Sequence, residues 1–194
     1  MTKQELTDKK RCLWAEKGGE LDKQYHDEQW GRPEHNERNL FEMLVLEGMQ
    51  AGLTWSLILK KRKNFKKAFD NFEPKKIAVY DANKIRALLS DSGIIRNRLK
   101  INAAITNAKA YLALKKQYGG GLDKFLWSYI DFKPIQNKWK TIRQIPAKTE
   151  LSDRISKDLK KLGFKFVGST IIYAYMQAIG MVNDHTMNCF VRQR

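Results

Sequence analysis

The chain has 194 residues, 42% of them hydrophobic, and a formal net charge of +16 from 37 Lys and Arg against 21 Asp and Glu. Its 5 Trp, 7 Tyr and 9 Phe are enough to fill a core, which excludes a disordered chain. A helix crossing a membrane is excluded too, because no run of about 18 apolar residues occurs. So large a positive excess is tolerated most easily beside a polyanion, so DNA or RNA is the leading partner, ahead of an anionic membrane surface. Residues 1–11 are polar and lack an apolar signal core, so a cytoplasmic location with reduced cysteines is expected.

In chain order, residues 1–10 read as a polar arm, and residues 11–194 as one domain. Residues 12–36 carry Gly18, Gly19, Gly31 and Pro33 and read as loop-rich. From Asn39 the pattern turns helical, with Phe41, Leu44, Val45 and Gly48 on one 3.6-residue stripe. Gly52 ends or kinks that helix, and Thr54 caps a second one running to Phe69. Pro74 opens a third helix and residues 83–89 form a fourth, closed by Gly93. Residues 98–118 form a long amphipathic helix stopped by three glycines, and residues 122–130 are short and apolar. Residues 131–149, with Pro134 and Pro146, read as irregular. Residues 152–162 and 169–179 are helices around a tight turn, 163–168. No run alternates as a strand would, so the expected class is all-α.

Three constellations carry chemistry. His185 and Cys189 are four apart, so on a helix they share a face and can hold two corners of a zinc tetrahedron. Cys12 and His26 complete a Cys₂His₂ set that would tie the N-terminal segment to the C-terminal one. Ordinary core or surface roles for these residues, or a Cys12–Cys189 disulfide, are the competing readings. His35 lies in a polar turn and reads as a surface residue. In the second, Gly163 and Gly168 bracket a turn just before a helix. Backbone N–H groups there can face a phosphate, with Lys165 and Lys161 adding charge. A glycine-capped corner without a ligand is the alternative. In the third, Glu47 sits beside an apolar stripe, eight residues before Trp55, with Trp14 and Tyr25 next to the candidate metal ligands. An aromatic cage with one carboxylate suits a flipped cationic purine. Core aromatics around an acid paired elsewhere would give the same pattern. Six basic residues in 60–67 form a solvated helix face or flank a DNA groove.

Several motifs in the same order resemble the DNA-3-methyladenine glycosylase I family from about Arg11 to Cys189. They are Arg11-Cys12, Tyr25-His26-Asp27 with Trp30-Gly31, Leu40-Phe41-Glu42-Met43, the run from Leu46 to Trp55, the turn from Gly163 to Gly168, and Val182-Asn183-Asp184-His185 with Cys189. The resemblance implies a helix-hairpin-helix glycosylase fold, a structural zinc ion at Cys12, His26, His185 and Cys189, and base recognition by Glu47, Tyr25, Trp55 and Trp14. Glu47 is the candidate catalytic group, stabilising oxocarbenium character on the sugar or positioning water. DNA would be held by Gly163, Lys165, Gly168 and Ser169, with Leu53 either wedged into the stack or packed in the core. The implied reaction is monofunctional hydrolysis of the bond to 3-methyladenine in alkylated double-stranded DNA, giving the free base and an abasic site. A monomer is expected. Asp22 stands three residues before Tyr25, where the family often carries a second tyrosine, so one pocket wall is expected to differ. Asn183 stands where related glycosylases place a catalytic Asp, with Asp184 beside it. The rival readings are a helix-hairpin-helix protein that binds damaged DNA without catalysis, a zinc-stabilised RNA-binding module, and a glycosylase for another alkylated base such as 3-methylguanine.

Overall fold

A computed structural model of the protein describes residues 9–193. The polar arm expected at residues 1–10 lies largely outside the described residues. The described chain is mostly helical, and its centre is one helix.

Residues 12–36 are not loop-rich. They hold α1 (Leu13–Glu16) and α2 (Glu20–Glu28). The glycine pair separates two short helices instead of making a loop. Gly19 is the N-cap of α2, and its N–H donates to the Asp22 carboxylate at 3.0 Å. Helix α3 (Glu37–Gln50) starts where the Asn36 side chain accepts from the Arg38 and Asn39 N–H groups. Every residue from Leu40 to Met49 is buried. The apolar stripe read from the sequence is therefore only part of a helix that is enclosed all round. It packs against α4 (Trp55–Ala68), α7 (Arg98–Tyr118), α8 (Leu122–Trp127) and α10 (Ser169–Ala178). The buried Tyr175 hydroxyl donates to the Leu40 carbonyl at 2.9 Å, joining α10 to α3.

Gly52, at φ +76, makes the turn out of α3, and the Thr54 hydroxyl caps α4 by accepting from the Leu57 N–H. Pro74 begins α5 (Pro74–Ile77), and Asp81 caps α6 (Ala82–Ser90). Asn97 caps α7, and left-handed Gly119 ends it. Residues 131–149 are irregular apart from a 3-10 turn, Ile142–Gln144, and one feature that the sequence reading missed. Ile135–Gln136 (β1) pairs in parallel with Val182–Asn183 (β2). Two residues are too few to show alternation, so no sequence pattern marks them. Helix α9 (Glu150–Lys161) leads through the turn at 163–168 into α10.

Candidate active site and metal cluster

Because α3 is buried all round, its carboxylates need partners. Glu42 finds them: its two oxygens meet Arg62 Nε at 2.6 Å and Lys66 Nζ at 3.2 Å. Glu47, one turn and a half later and 5% exposed, faces a cavity instead. Burial pushes its carboxyl up to about 8. The cavity holds about 420 Å³ and is walled by Trp14, Tyr25, Trp30, Glu47 and Trp55. The Tyr25 and Trp55 rings lie 5.2 Å apart, and Trp14 meets Trp30 edge-on at 5.2 Å. Two of these rings carry polar atoms that are buried without a partner, the Tyr25 hydroxyl and the Trp55 Nε1–H. Unpaired buried donors and acceptors are rare and costly, so two such groups around one cavity, beside an acid shifted by burial alone, call for a ligand. A larger cavity of about 620 Å³, edged by Gln24, Glu28, Arg32, Arg62 and Lys66, shares Tyr25 but has no tryptophan and no buried acid.

Asp22 does not form a wall of the base-sized cavity. Its side chain is buried and spent: Oδ2 accepts from the Gly19 N–H, and Oδ1 accepts from the Ser56 hydroxyl at 2.6 Å. It joins α2 to α4 one turn before Tyr25 and next to Trp55. At the far end of α2, Arg62 donates to Gln29 Oε1 at 2.6 Å.

Directly behind the aromatic wall, the ligand atoms of Cys12, His26 and Cys189 lie within 4.8 Å of one another, all buried. Both cysteines are free thiols, so no disulfide joins them. The Cys12 thiol donates to the Cys189 sulfur, which pushes Cys12 up and holds Cys189 down, with His26 helping. The His185 ring lies 4.9 Å from that of His26. Its Nδ1 contacts Asn183 Oδ1 at 3.0 Å, while its buried Nε2 has no partner. Burial lowers His185 to about 4, so the ring is neutral and able to ligate. His185 and Cys189 do not share a helix face as expected: the segment between them is a turn that follows β2. Gly31 permits the close packing, because a Cβ there would sit 2.6 Å from His185 Cε1. Arg11 and His26 both bind the Asp27 carboxylate, at 2.8 Å each, which fixes the His26 ring.

Asp184, fully buried, is a hub. Its carboxylate accepts from Asn137, Trp139, Tyr173 and Gln177, each at 2.7 Å. Tyr173 and Gln177 line the cavity from α10, and Ile142, Ile145 and Pro146 line it from the segment after Trp139. These wall residues, like Trp30, were not among the sequence candidates. Trp30 stood in a motif that drew attention, but Ile142 and Ile145 gave no signal in a stretch read as irregular.

The turn at 163–168 is braced from α7: the Asn107 amide accepts from the Lys165 N–H at 2.7 Å and donates to its carbonyl at 3.0 Å. The Lys165 side chain is exposed, and Gly168 leaves the start of α10 without a side-chain cap. Ser169, the first residue of α10, is bound to Asp153 and Ser152 on α9. Leu53, 39% exposed, stands on the turn between α3 and α4. Of the basic stretch 60–67, Arg62 and Lys66 are engaged with Glu42, and Lys61 donates to the Ser92 carbonyl. His35 is at the surface, bound to Asp123 at 2.7 Å.

Residues 14–193 match the methyladenine glycosylase family, and the chain belongs to it. It is 48% identical to a DNA-3-methyladenine glycosylase of Haemophilus influenzae over 92% of this chain and 96% of that one. It is 47% identical to DNA-3-methyladenine glycosylase 1 of Escherichia coli K12 over 92% and 95%. The solved structure of 3-methyladenine DNA glycosylase I from Staphylococcus aureus, a study of 3-methyladenine recognition, superposes with a TM-score of 0.90 at 34% identity. It covers 95% of this chain and 97% of that one.

Proposed function

We infer that this chain hydrolyses the N-glycosidic bond of 3-methyladenine in alkylated DNA, releasing the free base and leaving an abasic site. Its relatives carry that activity in their names. The observation that carries the reading is the cavity in which Glu47, the Tyr25 hydroxyl and the Trp55 Nε1–H all lack protein partners.

A methyl on adenine N3 makes the base cationic and a good leaving group, so less transition-state stabilisation is needed than for an unmodified purine. The nucleotide leaves the stack at a cost of a few kcal/mol. Tyr25, Trp14 and Trp55 then surround the base and attract its charge through their ring faces. The cation favours the carboxylate form of Glu47, which releases its proton as the base enters. Glu47 accepts from the exocyclic amine and offsets the positive charge developing on the sugar. Water adds to C1′, the base departs neutral, and a proton is lost to solvent. Among the described residues no lysine lines the cavity, in keeping with hydrolysis without a lyase step.

The helix–turn–helix of α9 and α10 acts as a helix-hairpin-helix grip on the DNA backbone, through Gly163, Lys165, Gly168 and Ser169. Leu53 fills the gap left by the flipped nucleotide. Cys12, His26 and Cys189 could together hold a structural zinc ion, and His185, outside that close group, would supply the fourth ligand by its otherwise unpaired Nε2. Such an ion takes no part in the reaction and ties the two ends of one domain, residues 11–194, together. The protein works as a cytoplasmic monomer.

Incubation with methylated duplex DNA and chromatography of the released purines tests the reading. Free 3-methyladenine, with 7-methylguanine retained, is expected. Folded protein that binds the DNA and releases no base would make it a damage-binding module instead. Wild-type protein should carry one zinc per chain and Cys189→Ser much less, with a lower melting temperature. Metal-free wild type of unchanged stability would remove the zinc clasp.

A further inference from the structure

Residues 137–147 cross one side of the base cavity as a strap, and three features show that it is built rather than loose. Its start is tied to the C-terminal segment by β1–β2 pairing, by the Asn137 N–H to the Asn183 carbonyl, and by the Met187 N–H to the Trp139 carbonyl at 2.8 Å. Asn137 and Trp139 also bind the buried Asp184. Gln144 Oε1 accepts from the Lys140 and Thr141 N–H groups, at 2.7 and 3.2 Å, which fixes the 3-10 turn at the strap's middle. Its apolar residues Ile142, Ile145 and Pro146 line the cavity. Lys140 and Arg143, beside Ile142, are exposed, and none of the ion pairs found among the described residues uses them.

We propose that this strap is a second DNA-contact element, in which Lys140 and Arg143 bind the phosphates that flank the flipped nucleotide while Ile142 and Ile145 wall its base. The inference rests on the base-cavity reading above. A flipped base stays joined to its own sugar and phosphates, so cations on the segment that walls its cavity stand within reach of those phosphates. A strap held by Asp184 and Gln144 presents them on an already ordered backbone, so only their side chains carry an ordering cost at binding. The contact is to backbone, so it adds affinity and not sequence preference.

The test compares wild type with Lys140→Ala/Arg143→Ala for binding to a duplex bearing a tetrahydrofuran abasic analogue, across a range of salt. Free 3-methyladenine binding and melting temperature are followed in parallel. Each lost phosphate contact reduces the log–log salt slope by about 0.9, so the double variant should lose about 1.8. Base binding and melting should stay at wild-type values, and Lys140→Arg/Arg143→Lys should restore the slope. An unchanged slope in a folded double variant overturns the proposal. Failure of wild type itself to bind the free base would instead overturn the cavity reading on which it rests.

Discussion

Two buried polar clusters flank the base cavity, and they are opposites. Around Asp184 every polar group is matched: one carboxylate takes four donors at 2.7 Å. Glu47 is shifted by burial alone, with no hydrogen bond acting on it, and the nearby Tyr25 hydroxyl and Trp55 Nε1–H are orphaned. Tyr173 and Gln177 touch both, lining the cavity and holding Asp184. A satisfied network fixes structure; an unsatisfied one stores a binding site. Asp184 is therefore a knot, with its carboxylate already taken up by four donors. Asn183 is occupied as well, holding the His185 ring with its oxygen and donating to Gln136.

The largest effect should come from breaking the matched cluster. Asp184→Ala leaves four donors short of an acceptor and should lower stability by about 3–5 kcal/mol, measured by urea unfolding. A loss within about 0.5 kcal/mol of zero would mean that the hub is not what holds the strap and α10 together. A smaller effect is expected from Ser56→Ala, which removes one hydrogen bond to a carboxylate, for a loss of about 1–2 kcal/mol. Because that bond sits between Tyr25 and Trp55, base binding should weaken with it, and Ser56→Thr should recover both. Recovery of stability without recovery of binding would separate Asp22 from the cavity.

Much of the fold was legible because its helix ends are written in local chemistry. Thr54, Pro74 and Gly119 mark real boundaries. The glycines at 18 and 19 misled, because glycine suits an N-cap as well as a loop, and the Asp22 side chain that settles the matter acts three residues away. Glu47 and the three aromatics were legible as a set through a motif, and the structure gathers them around one cavity. The strap was not legible. Its place depends on Asp184, 45 residues beyond Trp139, and no local pattern encodes so distant a hydrogen bond. The spacing of His185 and Cys189 pointed to the right neighbourhood for the wrong reason, since a turn and not a helix carries them.

The most direct test of the contrast is thermal melting of wild type and Glu47→Gln between pH 5 and 9, with and without 3-methyladenine. Folding raises the Glu47 carboxyl from an ordinary 4.5 to about 8. Between those values the folded chain holds a proton that the unfolded chain has released, so wild-type stability falls as pH rises and levels off above about 8. Gln carries no such proton. Without ligand, Glu47→Gln should gain on wild type steadily from pH 5 to pH 8. With the base present, wild type should be stabilised far more than the variant. Parallel melting curves for the two proteins, with equal shifts from the base, would contradict an unpaired carboxyl held ready for that ligand.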